Sequence, residues 1–187
     1  MDRTGKFYNF DDLHARLAQV PLDELEVEFR AQIEVVLEAG LRPTHLDWHA
    51  LRISGPGGRV EIFDLMFRLA REYGLALRVR GQVVIEKVQN LGFPTVDFDF
   101  LDSSSIDPAT KAAQYAQLLH DLPPGLSEWA VHPGLDTPEL LAMEPLGNHS
   151  RQSDYDFFTS PRAKELIEAE GIIQIDYRTL QEVWKKI

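Results

Sequence analysis

The chain reads as an α/β protein in which about five parallel strands alternate with helices. Three observations carry that reading. Short β-favouring segments and segments of helical period alternate along the 187 residues, the pattern of βα repeats. The helical segments stop at Gly or Pro, as at Gly40, Gly74 and Pro123-Pro124-Gly125. No repeat or low-complexity tract interrupts the alternation, so one α/β domain over residues 1–187 is expected.

The elements follow in order. Leu22, Leu25, Phe29, Ile33, Val36 and Leu37 recur at spacings of three and four, one face of a helix that Gly40 and Pro43 end. Residues 44–49 are a short strand. A helix over 60–73 places Ile62, Met66, Leu69 and Tyr73 on one face, and residues 75–79 form the next strand. Residues 82–88, with three Val and one Ile, suit a strand or a short helix. Residues 95–100 alternate as a strand, and Asp107-Pro108 opens a helix carrying Tyr115, Leu118, Leu119 and Leu122. A strand over 128–132 ends at Pro133-Gly134. One or two helices run up to Glu170, a strand occupies 172–177, and a helix 179–186. Five strands are fewer than the eight of a closed barrel, and a helix comes first. Either the sheet is open or the opening units are not in this chain.

Composition narrows the partners. Lys and Arg number 19 against 30 Asp and Glu, a formal net charge of −11 without a basic run. Phosphate neutralisation needs clustered cations, so no nucleic-acid partner is expected. No apolar run approaches the roughly 20 residues of a membrane span, and the N-terminus lacks a signal-peptide core, so the expected setting is cytoplasmic. Zero Cys excludes disulfides, a thiol nucleophile and Cys-ligated zinc. Any metal must sit on His and carboxylates.

Catalytic groups in α/β proteins gather where strands end. His45, Asp47 and His49 share one face if residues 44–49 are extended, and two imidazoles with a carboxylate are ligand types for a divalent ion. The alternative is that His45 and Asp47 hydrogen-bond each other and the backbone. Leu46 and Trp48 point the other way, into apolar packing. At Val131-His132-Pro133-Gly134 an apolar strand delivers an imidazole to a sharp turn, where it can hand a proton to a leaving group near neutral pH; bracing the turn is the alternative. Arg78, just past a strand, could reach a substrate or orient a carboxylate. Asp11-Asp12 reads as a helix cap, and Ser103–Ser105 lacks the turn of a hydrolase nucleophile. No phosphate-binding glycine loop occurs.

Taken in order, Gly40-Leu-Arg-Pro43-Thr-His45-Leu-Asp47-Trp-His49, Gly74-Leu-Ala-Leu-Arg78, Glu128-Trp-Ala-Val-His132-Pro-Gly134, Arg151…Asp154-Tyr155…Ser160-Pro161 and Gly171-Ile…Ile175-Asp-Tyr177-Arg178 resemble the YdjC-like carbohydrate deacetylases. That family includes chitooligosaccharide and hopanoid-biosynthesis deacetylases. The resemblance covers essentially the whole chain. It implies a TIM-barrel-like fold, a divalent metal (Mg or Zn) held by one Asp and two His, and removal of N-acetyl groups from a small carbohydrate. On this chain it implies His49 and His45 as metal ligands, His132 and Asp47 as catalytic residues, and Arg78, Trp48 and Arg151 as substrate-binding residues.

Members open with a strand ending in an Asn-Ala-Asp-Asp-Phe-Gly-like loop that supplies the metal Asp, and a later strand gives a further metal His. Neither occurs here, and Asp11-Asp12 is in the wrong register. The expectation is therefore an incomplete barrel lacking about two N-terminal βα units, at ~30 residues each. A catalytically inactive sugar-binding or interaction remnant is the alternative function. An open sheet edge would also let a homodimer supply missing strands.

Overall fold

Helices dominate the fold, and its strands are short and parallel. The computed structural model describes residues 17–49, 59–98, 101–102, 106–145 and 148–187. Among them are eight helices and four two-residue strands. They fall into two compact units, one holding the residues up to Thr95 together with Asp176–Ile187, the other Val96–Ile175.

In the first unit, helix α1 (Leu22–Glu38) leads to β1 (His45–Leu46), α2 (Val60–Glu72), β2 (Ala76–Leu77) and α3 (Gln82–Asn90). Strands β1 and β2 pair in parallel, His45 opposite Ala76 and Leu46 opposite Leu77. Helix α2 buries Ile62, Phe63, Leu65, Met66, Leu69 and Ala70 along one stripe, the expected amphipathic pattern. It stops at Gly74, whose φ of +64° suits glycine, while Leu75 N–H returns to the Ala70 carbonyl at 2.8 Å. Residues 82–88 resolve as helix. Val84, Ile85 and Val88 are buried while Val83 is 74% exposed, a helical stripe that a strand, with Val83 and Ile85 on one face, would not produce. The unit is completed by the last helix, α8 (Tyr177–Trp184). Trp184 packs on Phe93 and Phe67 and donates from Nε1 to the Pro94 carbonyl at 2.8 Å. Gln181 donates to the Gly74 carbonyl at 2.8 Å.

The second unit contains β3 (Leu101–Asp102), α4 (Lys111–His120), β4 (Trp129–Ala130), α5 (Pro138–Met143), α6 (Asn148–Phe158) and α7 (Pro161–Ala169). Strands β3 and β4 also pair in parallel. Tyr115, Leu119, Phe157 and Ala163 form the core, with Trp129, Phe158 and Ile172 packed against it. Helix α7 starts as its sequence dictates: Ser160 Oγ accepts from Ala163 N–H and Pro161 takes the first helical position.

Two expected strands take another form. At 95–98 there is no strand; Asp97 instead exchanges hydrogen bonds with Leu126, backbone to backbone at 2.8 Å and carboxylate to N–H at 2.7 Å. Its polar groups pin a loop rather than join a ladder, and pairing begins at β3. Residues 172–176 are also not a strand. Ile172 N–H caps α7 through the Ile167 carbonyl, Ile173 is 86% exposed, and Asp176 caps α8 by accepting from Arg178 N–H, which draws Tyr177 into that helix. The short helix α5, begun by Thr137 and Pro138, was not expected. Among the described residues, no helix is long and apolar enough to cross a membrane.

Candidate functional site

Polar groups collect just past the ends of β1 and β2. The chain leaves β1 through Asp47-Trp48-His49 and leaves β2 through Arg78-Val79-Arg80. Arg78 Nη1 donates to Asp47 Oδ2 at 2.8 Å, and both side chains are mostly buried. The other carboxylate oxygen accepts from His49 N–H at 2.9 Å. Arg80 reaches across to the His49 carbonyl. His49 has a φ of +47°, and among the described residues no other non-glycine lies in that left-handed region. Such backbone costs energy for a residue bearing a Cβ and persists where the surrounding structure over-determines it. Two arginines from one strand end thus hold the loop of the other, and the His49 side chain is left exposed.

His45 is engaged differently. Its ring stacks on Tyr177 of α8, with centroids 4.0 Å apart, and Nδ1 lies 3.0 Å from Thr44 Oγ1. Trp48 is 6% exposed. A cavity of about 460 Å³ opens here, walled by Phe29, Ile33 and Val36 of α1 and edged by His45, Asp47 and His49. Its volume lies in the range of small-ligand sites.

The His-x-Asp-x-His spacing would gather three side chains only along an extended run, and β1 is two residues long. Among the described residues no three His, Asp or Glu stand together as a metal-holding group. His45, Asp47 and His49 as placed therefore do not fit a divalent ion as a set: His45 faces Tyr177, Asp47 faces Arg78, and the chain turns at His49. Asp11-Asp12 and Ser103–Ser105 lie outside the described residues.

In the second unit His132 sits two residues past β4 with its side chain exposed. Its backbone N–H donates to Asp154 Oδ2 at 2.9 Å, and Gly134 N–H donates to the Arg151 carbonyl at 3.1 Å. Arg151 pairs through Nε with Glu144, and that bond lowers the Glu144 pKa. Asp154 is 1% exposed. Its Oδ1 accepts from Lys111 Nζ at 2.7 Å and from Tyr115 Oη at 2.6 Å. Burial alone would push this carboxyl up. The Lys111, Tyr115 and His132 donors outweigh it and hold the pKa below the ordinary carboxylate value.

Sequence reasoning singled out His132, Asp47 and Arg78 but assigned no role to Arg80, Lys111, Tyr115 or Asp154. One signal was available. Lys111 falls four residues before Tyr115 and eight before Leu119, on the apolar stripe of its helix. A lysine there needs a buried partner.

These features define an α/β protein with parallel strands and, in each of its two units, ionisable groups beyond the strand ends. The model of the YdjC-like protein family matches residues 1–169, and the chain belongs to that family. It is 24% identical over 182 residues to a carbohydrate deacetylase of Clostridium beijerinckii, an alignment covering 96% of this chain and 69% of that protein. A carbohydrate deacetylase of Listeria monocytogenes serotype 4b is 34% identical over 85 residues, 44% of this chain and 31% of that one. Among solved structures, a proposed cellobiose-phosphate cleavage protein from Enterococcus faecalis V583 superimposes with a TM-score of 0.72 at 25% identity, covering 96% of this chain and 68% of that one.

Proposed function

We propose that this chain is a carbohydrate deacetylase, removing N-acetyl groups from an amino sugar or a chitooligosaccharide-like substrate. The observation that carries the reading is family membership over residues 1–169, with a relative of that name aligned across 96% of the chain. A TIM-barrel-like architecture and a divalent metal (Mg or Zn) come with it. No step is assigned to the metal, because the described donors do not gather to hold one.

Deacetylation adds water across the amide C–N bond. The oxygen ends on the acetyl carbon as acetate, and the sugar nitrogen departs with a proton. His132 is suited to deliver that proton: its backbone is tied down and its ring faces solvent. Within the first unit, taken by itself, Arg78 and His49 N–H each occupy one oxygen of Asp47. A carboxylate oxygen has a second lone pair, so Asp47 still offers ordered acceptors at the cavity edge, where sugar hydroxyls would donate.

The test is acetate release from N-acetylglucosamine oligomers by the full chain, alongside elemental analysis for Mg and Zn. Active protein should lose about 10²–10⁴-fold in kcat on His132→Ala. Release of no acetate, with oligosaccharide binding unchanged in chelator, would replace this reading with that of a sugar-binding module.

A further inference from the structure

The second unit buries an ion pair, Lys111–Asp154, at 2.7 Å. Lys111 is the first residue of α4 and is 0% exposed. A cation there opposes the helix dipole and loses its hydration. All three of its protons are used, on Asp154 Oδ1, Ser150 Oγ and the Ser150 carbonyl, at 2.7, 2.7 and 3.0 Å. A hydrophobic pair of similar volume would pack as stably, or more so. What such a pair would lack is an acceptor for the buried Tyr115 hydroxyl and for one backbone donor.

That backbone donor is the His132 N–H, bound to Asp154 Oδ2. Pro133 has no N–H, and the next donor, Gly134 N–H, goes to Arg151, three residues before Asp154 on the same helix. Both donors of the turn are therefore anchored on α6. The fit is close: a Cβ on Gly134 would lie 3.3 Å from Arg151 Cβ and 3.2 Å from Leu140 Cδ2. The carboxylate is itself immobilised by Lys111 and Tyr115, while the imidazole it supports stays exposed.

We propose that Asp154, clamped by Lys111 and Tyr115, with Ser150 holding the lysine, is a positioning residue for His132. It sets where the backbone presents the imidazole, and Lys111 serves by keeping the carboxylate charged and fixed. The role rests on reading His132 as the proton donor of deacetylation.

Asp154→Asn tests it. The amide keeps the volume and can still accept from Lys111 and Tyr115 through its oxygen, but turns an N–H₂ group toward the His132 N–H. With ¹⁵N-histidine labelling, the six His residues give separate amide signals. That of His132 should exchange about 10- to 100-fold faster in D154N. Acetate release should fall about 10²-fold in kcat, as for a misplaced catalytic group, with KM changed less than about twofold. The double variant Lys111→Met/Asp154→Leu removes the charges without leaving either unpaired. It should stay folded, melting below the parent by what the lost Tyr115–Asp154 bond costs, and keep the low kcat.

A double variant that recovers the parent kcat shows the pair to be structural only and overturns the proposal, as does unchanged His132 exchange in D154N. If D154N does not fold, the double variant decides. A parent chain that releases no acetate sinks the deacetylase reading instead, and the amide exchange still decides whether Asp154 holds the turn.

Discussion

The loop after β1 and the turn after β4 both fix a histidine past a strand end, by opposite means. After β1 the support is a partly solvated Asp47–Arg78 pair, with Arg80 on the next carbonyl. After β4 it is a carboxylate at 1% exposure that accepts from three donors. Water still reaches the edge of the first pair, so it can re-form after small displacements. In the second, the low dielectric makes each partner indispensable to the other. The first arrangement suits a loop that adapts to a ligand, and the second suits a group whose position must not drift.

Removing one partner from each should break the symmetry most clearly. Lys111→Ala strands a buried carboxylate, and a loss of about 3–5 kcal/mol is expected in urea unfolding. Arg78→Ala removes a pair with 16% and 22% side-chain exposure, and its cost should be about 1–3 kcal/mol, below that of Lys111→Ala. Added salt sharpens the contrast. Raising NaCl should shrink the Arg78→Ala cost, while the Lys111→Ala cost stays, since screening does not reach a dry pair.

The smallest effects are those of pH. Asp154 titrates below its ordinary 3.8 in the folded chain. Its stabilisation is complete above that value and is lost as pH falls through the folded pKa. Glu26, between Arg68 and Arg30, is held at about 2 and adds to the same acid-side loss. His120 behaves in reverse. Its bond to Glu170, 2.8 Å long, raises its pKa above 6.5. That contribution is full below 6.5 and vanishes as pH rises through the raised value. Thermal melts from pH 3 to 9 should show His120→Gln flattening the alkaline limb alone, and Glu26→Gln the acid limb alone.

Much of this was legible in the sequence. The stripe of α2, the stops at Gly40 and Gly74 and the strand–helix alternation all follow from local pattern, because each depends on neighbours within a turn or two. Residues 172–176 misled because Ile172, Ile173 and Ile175 look like strand material, yet tertiary packing takes only the first. The His45–Asp47–His49 grouping depended on how far β1 stays extended, which is set by its partner strand and not by its own residues. Asp154 was quoted as part of a motif but assigned no role. Its meaning lies 43 residues away at Lys111 and 22 away at His132, separations that periodicity does not reveal.

Helix α8 has a consequence for biosynthesis. Trp184 and Gln181 complete a unit whose other residues end at Thr95, with roughly 80 residues of the second unit in between. At ~5–20 residues per second, a ribosome holds the first unit unfinished for about 4–16 s, with Phe67 and Phe93 lacking their indole cover. The second unit is contiguous and has no such wait. The earlier-made unit therefore closes its aromatic core only once α8 has been made.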